Sequence, residues 1–313
     1  MKVVFLDAAT LPTALQLDHP ALEYTAYPST GAAGVIDRIR GATVVITNKV
    51  RLDADALRSA KHLKLVAVAA AGTDNVDKEA AAQLGIEVAN VPDYGSDSVA
   101  EHVIATLFAL RRHVVTYAAA ALDGRWTASE HFCWTGPAIT DIGGSVFGVV
   151  GRGRIGEAAA RLARGLDMQV LFAQSPGKPA RDDELPLDEL LARADVLTLH
   201  VPLTPQTRNM IGKDALARMK PDAVIINTGR GALVDAEALV AALRCGIIGG
   251  AAIDVLDVEP PPANHPLLAP DIPNLLVTPH VAWASQHAQA RLARRLEQMV
   301  AQLVEQRLAK DPQ

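Results

Sequence analysis

A glycine triplet near the middle of the chain places the strongest constraint on its fold. Gly151, Gly153 and Gly156 lie in a run, 145–156, that is typical of an apolar strand, a tight turn and a helix start. The first glycine permits the turn, the second lets a pyrophosphate approach the backbone, and the third lets the helix pack closely on the strand. The N–H groups at the helix start would face the phosphates. The run predicts a dinucleotide site; a glycine-rich turn without a ligand is the alternative.

Short apolar runs alternate with helical patterns from end to end, which predicts parallel sheets covered by helices. Before the glycine turn the predicted strands are Val3–Leu6, Val44–Thr47, Leu65–Ala69 and Val88–Val91. From the glycine turn onwards they are Val146–Val150, Gln169–Phe172, Val196–Leu199, Ala223–Asn227, Gly250–Asp254 and Leu275–Thr278. Long helices are predicted over Ser98–Leu122 and Ala284–Leu308.

The expected fold class is α/β, with two Rossmann-like domains built on parallel sheets. Because the dinucleotide site begins mid-chain, the upstream residues are expected to hold the substrate. A discontinuous, flavodoxin-like substrate-binding domain is predicted over residues 1–98 plus 284–313, and a dinucleotide-binding Rossmann domain over residues 99–283. The active site is expected in the cleft between them.

Composition excludes several classes of protein. The formal net charge of −5 and the lack of a basic cluster argue against nucleic-acid binding. No apolar run reaches membrane-spanning length, and the N-terminus does not resemble a signal peptide. Cys133 and Cys245 lack metal-ligand spacing and are expected to be thiols in a reducing compartment. We therefore expect a cytoplasmic protein without a metal site.

Three segments place reactive side chains directly after predicted strands, where ligands bind in open α/β sheets. Arg230, between two glycines, offers a planar guanidinium that suits a carboxylate or a polarised carbonyl. Glu259 precedes a proline run that fixes its direction, and His280 follows Pro279. A carboxylate bonded to an imidazole orients the ring and favours its protonated form, which makes a general acid. Taken singly, Arg230 could be a surface residue and His280 a structural one.

The order of these motifs resembles that of the D-isomer-specific 2-hydroxyacid dehydrogenase family. The segments that carry the resemblance are the glycine turn, Asn227-Thr-Gly-Arg-Gly-Ala-Leu-Val-Asp235, Asp254-Val-Leu-Asp-Val-Glu-Pro260 and Thr278-Pro-His280. Ala70-Ala-Gly-Thr-Asp-Asn-Val-Asp77 is similar to the family's substrate loop, and Ser98-Val-Ala-Glu-His102 to the start of its interdomain helix. Phe132-Cys-Trp134 and the segment 278–285 resemble the glycerate dehydrogenase/hydroxypyruvate reductase branch.

The resemblance implies reduction of a small 2-oxo acid, such as hydroxypyruvate or glyoxylate, to the D-2-hydroxy acid with NADH or NADPH. Arg230 would bind the substrate, and His280, with Glu259 as partner, would protonate the carbonyl oxygen. Backbone N–H groups around Ala71 and Gly72 would hold the carboxylate. The residues expected to bind the cofactor are Gly151, Arg152, Gly153, Arg154, Ile155, Gly156, Gln174, Ser175, His200, Val201, Pro202, Thr207, Thr228, Gly229, Asp254 and Ala282.

The end of the second Rossmann strand bears on the choice between NADPH and NADH. In this fold an acid about twenty residues past the glycines binds the ribose 2′-hydroxyl and would repel a 2′-phosphate. The neutral Gln174 stands there, followed by Ser175. Positive charge is available from nearby Lys178, Arg181 or Arg152. Because Gln174 can also bond a plain hydroxyl, the sequence favours NADP over NAD without excluding dual use.

Other functions of the same scaffold stay open at this point. They are oxidation of phosphoglycerate, formate or phosphite, and a nicotinamide-sensing role like that of corepressor relatives. The resemblance also implies a homodimer built on the cofactor-binding domain. Trp134 is a candidate contact, because an aromatic ring with a polar edge suits an interface; a core position is the alternative.

Overall fold

The computed structural model describes residues 1–175, 177 and 179–310. The chain divides into two compact units, one of Met1–Gly95 with Ala284–Gln313 and one of Ser96–Trp283. The first unit is therefore discontinuous in sequence.

The first unit contains a five-stranded, wholly parallel sheet. Its strands are β1 (Lys2–Phe5), β2 (Glu23–Ala26), β3 (Val44–Thr47), β4 (Leu65–Val68) and β5 (Glu87–Asn90), in the order β2-β1-β3-β4-β5. Helices α1 (Val35–Ile39), α2 (Ala54–Ser59) and α3 (Lys78–Gln83) connect them. β3 and β4 are buried along their whole length, which explains their continuous apolar sequences. The strand order is the flavodoxin-like one.

The second unit is built on a seven-stranded parallel sheet with the order β12-β11-β10-β9-β6-β7-β8. The strands are β6 (Val146–Val150), β7 (Gln169–Ala173), β8 (Glu184–Leu185), β9 (Val196–Leu199), β10 (Val224–Asn227), β11 (Gly250–Ile253) and β12 (Leu275–Val277). The helices are α4 (Ser96–Arg111), α5 (Val114–Leu122), α6 (Arg154–Arg164), α7 (Leu187–Arg193), α8 (Lys213–Leu216) and α9 (Ala236–Arg244). The last helix, α10 (Gln286–Lys310), belongs to the first unit.

The expected α/β class with two Rossmann-like parallel sheets is confirmed. Counted from β6, the second sheet has the Rossmann order 3-2-1-4-5-6, extended by one strand. Successive residues of its strands belong to separate hydrophobic clusters: Leu197 and Ile225 lie in one, Val196 and Val224 in the other. Side chains alternate along a strand, so each cluster covers one face. Since all strands run parallel, the loops after β6, β9, β10, β11 and β12 emerge at one edge of this sheet.

The segment Ser98–Leu122, predicted to be a long helical segment, is helical along most of its length but is broken into two helices. The segment forms α4 and α5, bent by 58° at a break where His113 has a left-handed φ of +50°. α4 packs its buried Ala100, Val103 and Leu107 in the same cluster as the alanines of α6. Among the described residues, no single helix is long and apolar enough to cross a membrane; α4 and α5 reach that length and apolarity only as a bent pair.

Candidate active site

The glycine turn after β6 leaves open space at Gly153. Gly151 has a φ of +108°, and a Cβ atom there would lie 2.6 Å from the carbonyl carbon of His200. A Cβ atom on Gly156 would lie 2.1 Å from the carbonyl oxygen of Gly151. A Cβ atom on Gly153, the N-cap of α6, would meet nothing within 4 Å. The backbone at Gly153 therefore fits a pyrophosphate, whereas the other two glycines are required by close packing.

The loop after β10 contains a buried hydroxyl, Oγ1 of Thr228, that has no hydrogen-bond partner among the described residues. The side chain of Asn227 fixes this loop: its Nδ2 donates to the carbonyl of Arg230 at 2.9 Å, and its Oδ1 accepts from the N–H of Gly229 at 3.0 Å. A buried polar group without a partner is costly, so it calls for a ligand or water. Thr228 thus fits a polar cofactor group.

The loop after β9 is held by its own hydroxyls. Oγ1 of Thr207 donates to the carbonyl of Pro202 at 2.7 Å and accepts from the N–H of Thr204 at 2.8 Å. At its start, Nε2 of His200 lies 3.0 Å from Oγ1 of Thr198. Desolvation lowers the pKa of His200 to about 4, so its imidazole is neutral near pH 7. The remaining predicted cofactor residues follow strands or open α6: Arg154, Ile155, Ser175 and Val201.

The end of β7 carries Gln174, the residue that the sequence relates to cofactor choice. Arg152, one candidate source of positive charge, is paired with carboxylates of its own unit. Its Nε lies 2.7 Å from Oε1 of Glu157, and its Nη1 lies 2.6 Å from Oδ1 of Asp183. Lys178, another candidate, lies outside the described residues. The structure thus gives Arg152 partners that the sequence did not indicate.

Glu259 and His280 form a hydrogen-bonded pair. Nδ1 of His280 lies 2.6 Å from Oε2 of Glu259, and Oε1 of Glu259 accepts from the N–H of Leu256 at 2.9 Å. Because an ionised carboxylate only accepts, Nδ1 of His280 carries the proton of this bond. The side chains are 27% and 32% exposed, so the pair is partly open to solvent.

Arg230 lies on a loop that packs against the loop of Glu259. Its neighbour Gly231 approaches so closely that a Cβ atom there would lie 2.0 Å from the carbonyl carbon of Leu256. Nη1 of Arg230 donates to the carbonyl of Gly229 at 2.9 Å. The close approach at Gly231 requires glycine and brings the segments of Arg230 and Glu259 together.

The buried carboxylate of Asp254 holds the backbone of the His280 loop. His280 has a left-handed φ of +56°, and its N–H donates to the carbonyl of Asp254 at 2.8 Å. The carboxylate accepts from the N–H groups of Val281 and Ala282, both at 2.9 Å, and from Oγ1 of Thr278 at 2.5 Å. These bonds stabilise a conformation that is uncommon outside glycine.

Two residues of α4, Ser98 and His102, also support this loop, and the sequence interpretation missed this role. Oγ of Ser98 donates to the carbonyl of Ala282 at 2.7 Å. Nε2 of His102 lies 3.2 Å from Oγ1 of Thr278. Since that hydroxyl gives its proton to Asp254, Nε2 of His102 is the donor. The four-residue spacing of Ser98 and His102, which places both on one helix face, is the signal that indicates a shared target.

The substrate loop predicted in the first unit follows β4. Ala71 is exposed and Gly72 is half-buried. Nδ2 of Asn90 donates to the carbonyl of Ala71 at 2.5 Å, and the N–H of Val91 donates to the carbonyl of Ala70 at 3.1 Å. Bonds from the end of β5 therefore fix the carbonyl side of this loop.

A second histidine–carboxylate pair is structural. Nε2 of His265 lies 2.9 Å from Oδ1 of Asp257, and this bond lowers the pKa of Asp257. Nδ1 of His265 accepts from the N–H of Leu267 at 3.2 Å, so both ring nitrogens are occupied. The pair borders a cavity of about 550 Å³. His265 is only 5% exposed, so we place the chemistry at His280 instead.

Among residues 1–175, 177 and 179–310, no three His, Cys, Asp or Glu side chains are grouped to hold a metal ion. Cys133 and Cys245 are free thiols.

Comparison with known proteins gives consistent matches along the chain. A family model described as D-isomer specific 2-hydroxyacid dehydrogenase, NAD binding domain, matches residues 104–282. A glycerate dehydrogenase of Methylorubrum extorquens is 46% identical over 297 residues, 94% of this chain and 93% of that protein. A hydroxypyruvate reductase of Blautia hydrogenotrophica is 35% identical over 303 residues, 93% of each. The solved structure of the TT0316 protein from Thermus thermophilus has a TM-score of 0.84 and 38% identity, covering 95% of this chain and 94% of that chain.

Proposed function

Because the chain belongs to the D-isomer specific 2-hydroxyacid dehydrogenase family, we propose that it reduces hydroxypyruvate or glyoxylate to the corresponding D-2-hydroxy acid. It is an oxidoreductase with an NAD-binding domain. The observation that carries the proposal is the bond of 2.6 Å between Glu259 and the partly exposed His280. This pair can present a proton at Nε2 to a substrate oxygen.

In the proposed mechanism the side chains bind, polarise and protonate the 2-oxo acid. The guanidinium of Arg230 binds the carboxylate and stabilises negative charge on the carbonyl oxygen. Amides at Ala71 and Gly72 are proposed to contribute to carboxylate binding. Nε2 of His280 gives its proton to the carbonyl oxygen, and Glu259 holds the ring through Nδ1. A nicotinamide cofactor held in this domain would supply the hydride.

The cofactor is proposed to lie along the loops after β6, β7, β9 and β10. Gly153 fits its pyrophosphate and Thr228 a polar group, while Asp254 and Ala282 border the nicotinamide end. We propose that NADPH and NADH both bind, with NADPH somewhat preferred. The neutral Gln174 supports this, because it bonds a ribose hydroxyl yet does not repel a phosphate.

The test follows the absorbance of NADPH and NADH with hydroxypyruvate, glyoxylate and other small 2-oxo acids. We expect turnover with the first two substrates, and a loss of about a hundredfold or more in His280→Ala. Calorimetric binding of NADH to His280→Ala serves as the control, since cofactor affinity should persist. Turnover of none of these acids by a protein that binds NADH would refute the substrate assignment and favour a cofactor-sensing role.

We also propose a homodimer formed by the second unit. Phe132 and Leu122 are 92% and 90% exposed, which is costly for large apolar side chains unless a partner covers them. Trp134, in contrast, contacts its own unit: its ring lies 5.4 Å from that of Tyr117, edge-on. A mass by light scattering of one chain at micromolar concentration contradicts the dimer. A cytoplasmic location stays a prediction, with which the free thiols are compatible.

A further inference from the structure

Arg152 is the centre of a charged cluster that the proposed mechanism does not use. Its guanidinium lies 2.7 Å from Glu157, 2.6 Å from Asp183 and 3.4 Å from Glu184. Its Cζ atom lies 4.2 Å from the centre of the Phe172 ring. We call these four charged residues the Arg152 clamp. The clamp joins the glycine turn to the first turn of α6 and to the edge strand β8.

The clamp is partly shielded from solvent. The Arg152 side chain is 18% exposed, Asp183 33% and Glu184 6%. The bond from Arg152 holds the pKa of Asp183 below its usual value, and bonds from Asp183 and Glu157 raise the pKa of Arg152. Removing Arg152 would take the nearest described cation away from the carboxylate of Glu184. Such a loss is unfavourable for a buried carboxylate.

Two further cations face the clamp from its edges. Nη2 of Arg164 lies 3.9 Å from Oδ2 of Asp183, and Nε of Arg181 lies 3.9 Å from Oε1 of Glu184. Both are more exposed, at 48% and 66%, so water screens their charges more strongly. Among the residues that the structure describes, Arg152 is thus the closest cation to both acids.

The clamp lies beside the strand end where a dinucleotide's adenosine ribose binds in this fold. Phe172, under the guanidinium, is paired with Glu184 in the sheet and precedes Gln174 by two residues. The N–H of Gln174 donates to the carbonyl of Leu185 at 2.7 Å. The carboxylates of the clamp are therefore close to the position that distinguishes a 2′-phosphate from a 2′-hydroxyl.

We propose that Asp183 limits the binding of a 2′-phosphate and that Arg152 is a positioning residue rather than the ligand of that phosphate. Arg152 is occupied by its carboxylates, and it fixes the glycine turn and partly neutralises the acids. Asp183 opposes a doubly charged phosphate nearby and so keeps the proposed preference for NADPH small. This inference rests on the proposed cofactor site, but not on the identity of the 2-oxo acid.

The first experiment measures dissociation constants of NADPH and NADH by isothermal titration calorimetry, without substrate, for the parent and Asp183→Asn. Removing one negative charge at this range should raise the affinity for NADPH relative to NADH on the order of fivefold. Glu184→Gln should change the ratio of NADPH affinity to NADH affinity in the same direction. Asp182→Asn is the matched control: it removes the same charge from the adjacent, exposed residue and should change the ratio less than about twofold.

The second experiment tests whether Arg152 acts through the acids or binds the 2′-phosphate itself. Arg152→Ala removes the nearest described cation from the acids and should weaken the binding of NADPH more than that of NADH. If Arg152 acts only through the acids, the double variant Arg152→Ala/Asp183→Asn should recover at least the parent ratio. A double variant that still binds NADPH as weakly as Arg152→Ala overturns the proposal and makes Arg152 the phosphate ligand. An Asp183→Asn ratio equal to that of the parent also overturns it. Failure of the parent to bind either nucleotide would contradict the cofactor site itself.

Discussion

His280 and Glu259 are joined by a bond of 2.6 Å between Nδ1 and Oε2, and each partner is fixed independently by the backbone. Glu259 accepts from the N–H of Leu256 at 2.9 Å, and His280 donates its own N–H to the carbonyl of Asp254 at 2.8 Å. The ring is thus oriented before any substrate binds. Such an arrangement lets Nε2 face a reacting oxygen without a conformational search.

Glu259→Gln is expected to lower kcat for reduction about tenfold while NADH affinity stays in place. A glutamine oxygen can still accept from Nδ1 of His280, but the charge-assisted bond becomes a weaker neutral one, so the ring is oriented less firmly. The measurement is kcat with hydroxypyruvate, with calorimetric binding of NADH beside it. Asp257→Asn, which alters the structural pair with His265, is the control and should leave kcat in place. An unchanged kcat in Glu259→Gln would show that the carboxylate does not orient the ring.

Two glycine substitutions should separate ligand binding from folding. Gly153→Ala adds a methyl group in open space on an extended backbone, so the melting temperature should change little while NADH affinity falls on the order of tenfold. Gly156→Ala places its Cβ against the carbonyl of Gly151 and should cost about 2 kcal/mol of unfolding free energy. Thermal unfolding and calorimetry check both. Unchanged NADH affinity in Gly153→Ala would contradict the assignment of Gly153 to the pyrophosphate.

The Arg152–Asp183 bond should stabilise the folded chain near neutral pH and lose this effect in acid. The pKa of Asp183 is lowered in the folded chain, so the contribution is present above its ordinary value of 3.8 and is lost as the pH falls through the folded value. Partial exposure limits the effect to about 1 kcal/mol at pH 7. Urea unfolding of the parent and Asp183→Asn between pH 3 and 7 should show the difference shrink on acidification. A difference that grows toward acid would contradict the lowered pKa.

Asp254→Asn is expected to reduce both stability and turnover. An amide offers one acceptor oxygen where the carboxylate accepts from Val281, Ala282 and Thr278, and its NH2 group would face a donor. We expect a loss of about 2 kcal/mol of unfolding free energy and roughly a tenfold fall in kcat. Thr278→Val, which removes only the hydroxyl between His102 and Asp254, should show a smaller effect. Full activity in Asp254→Asn would mean that the His280 loop keeps its conformation without the carboxylate.

Most of the two sheets could be predicted because their central strands are continuous apolar runs between turn residues. The strands at the edges of the two sheets could not be predicted. β2 has the mixed sequence Glu23-Tyr-Thr-Ala26 and is partly exposed, so no hydrophobic period marks it, and β8 has only two residues. The break between α4 and α5 falls at His113. No glycine or proline stands there to indicate a left-handed backbone conformation.

Arg230, Glu259 and His280 could be proposed from the sequence because each follows a strand, and parallel strands end at one edge of a sheet. The residues that hold the His280 loop in place were harder to predict. The bonds from His102 and Ser98 reach about 180 residues along the chain, to Thr278 and Ala282. Likewise, the partners of Arg152 depend on β8, an element that the sequence pattern does not reveal. Such pairings arise from tertiary structure, and local periodicity in the sequence does not predict contacts between distant residues.

The indole of Trp283 donates its Nε1 hydrogen to the carbonyl of His280 at 3.0 Å. The chain has three tryptophans, and the other two are Trp126 and Trp134. Replacing those two by phenylalanine would leave a single tryptophan, which is bonded to the His280 loop. Its emission overlaps the absorption of reduced nicotinamides, so stopped-flow energy transfer would time the arrival of the cofactor and any movement of the loop without a chemical label.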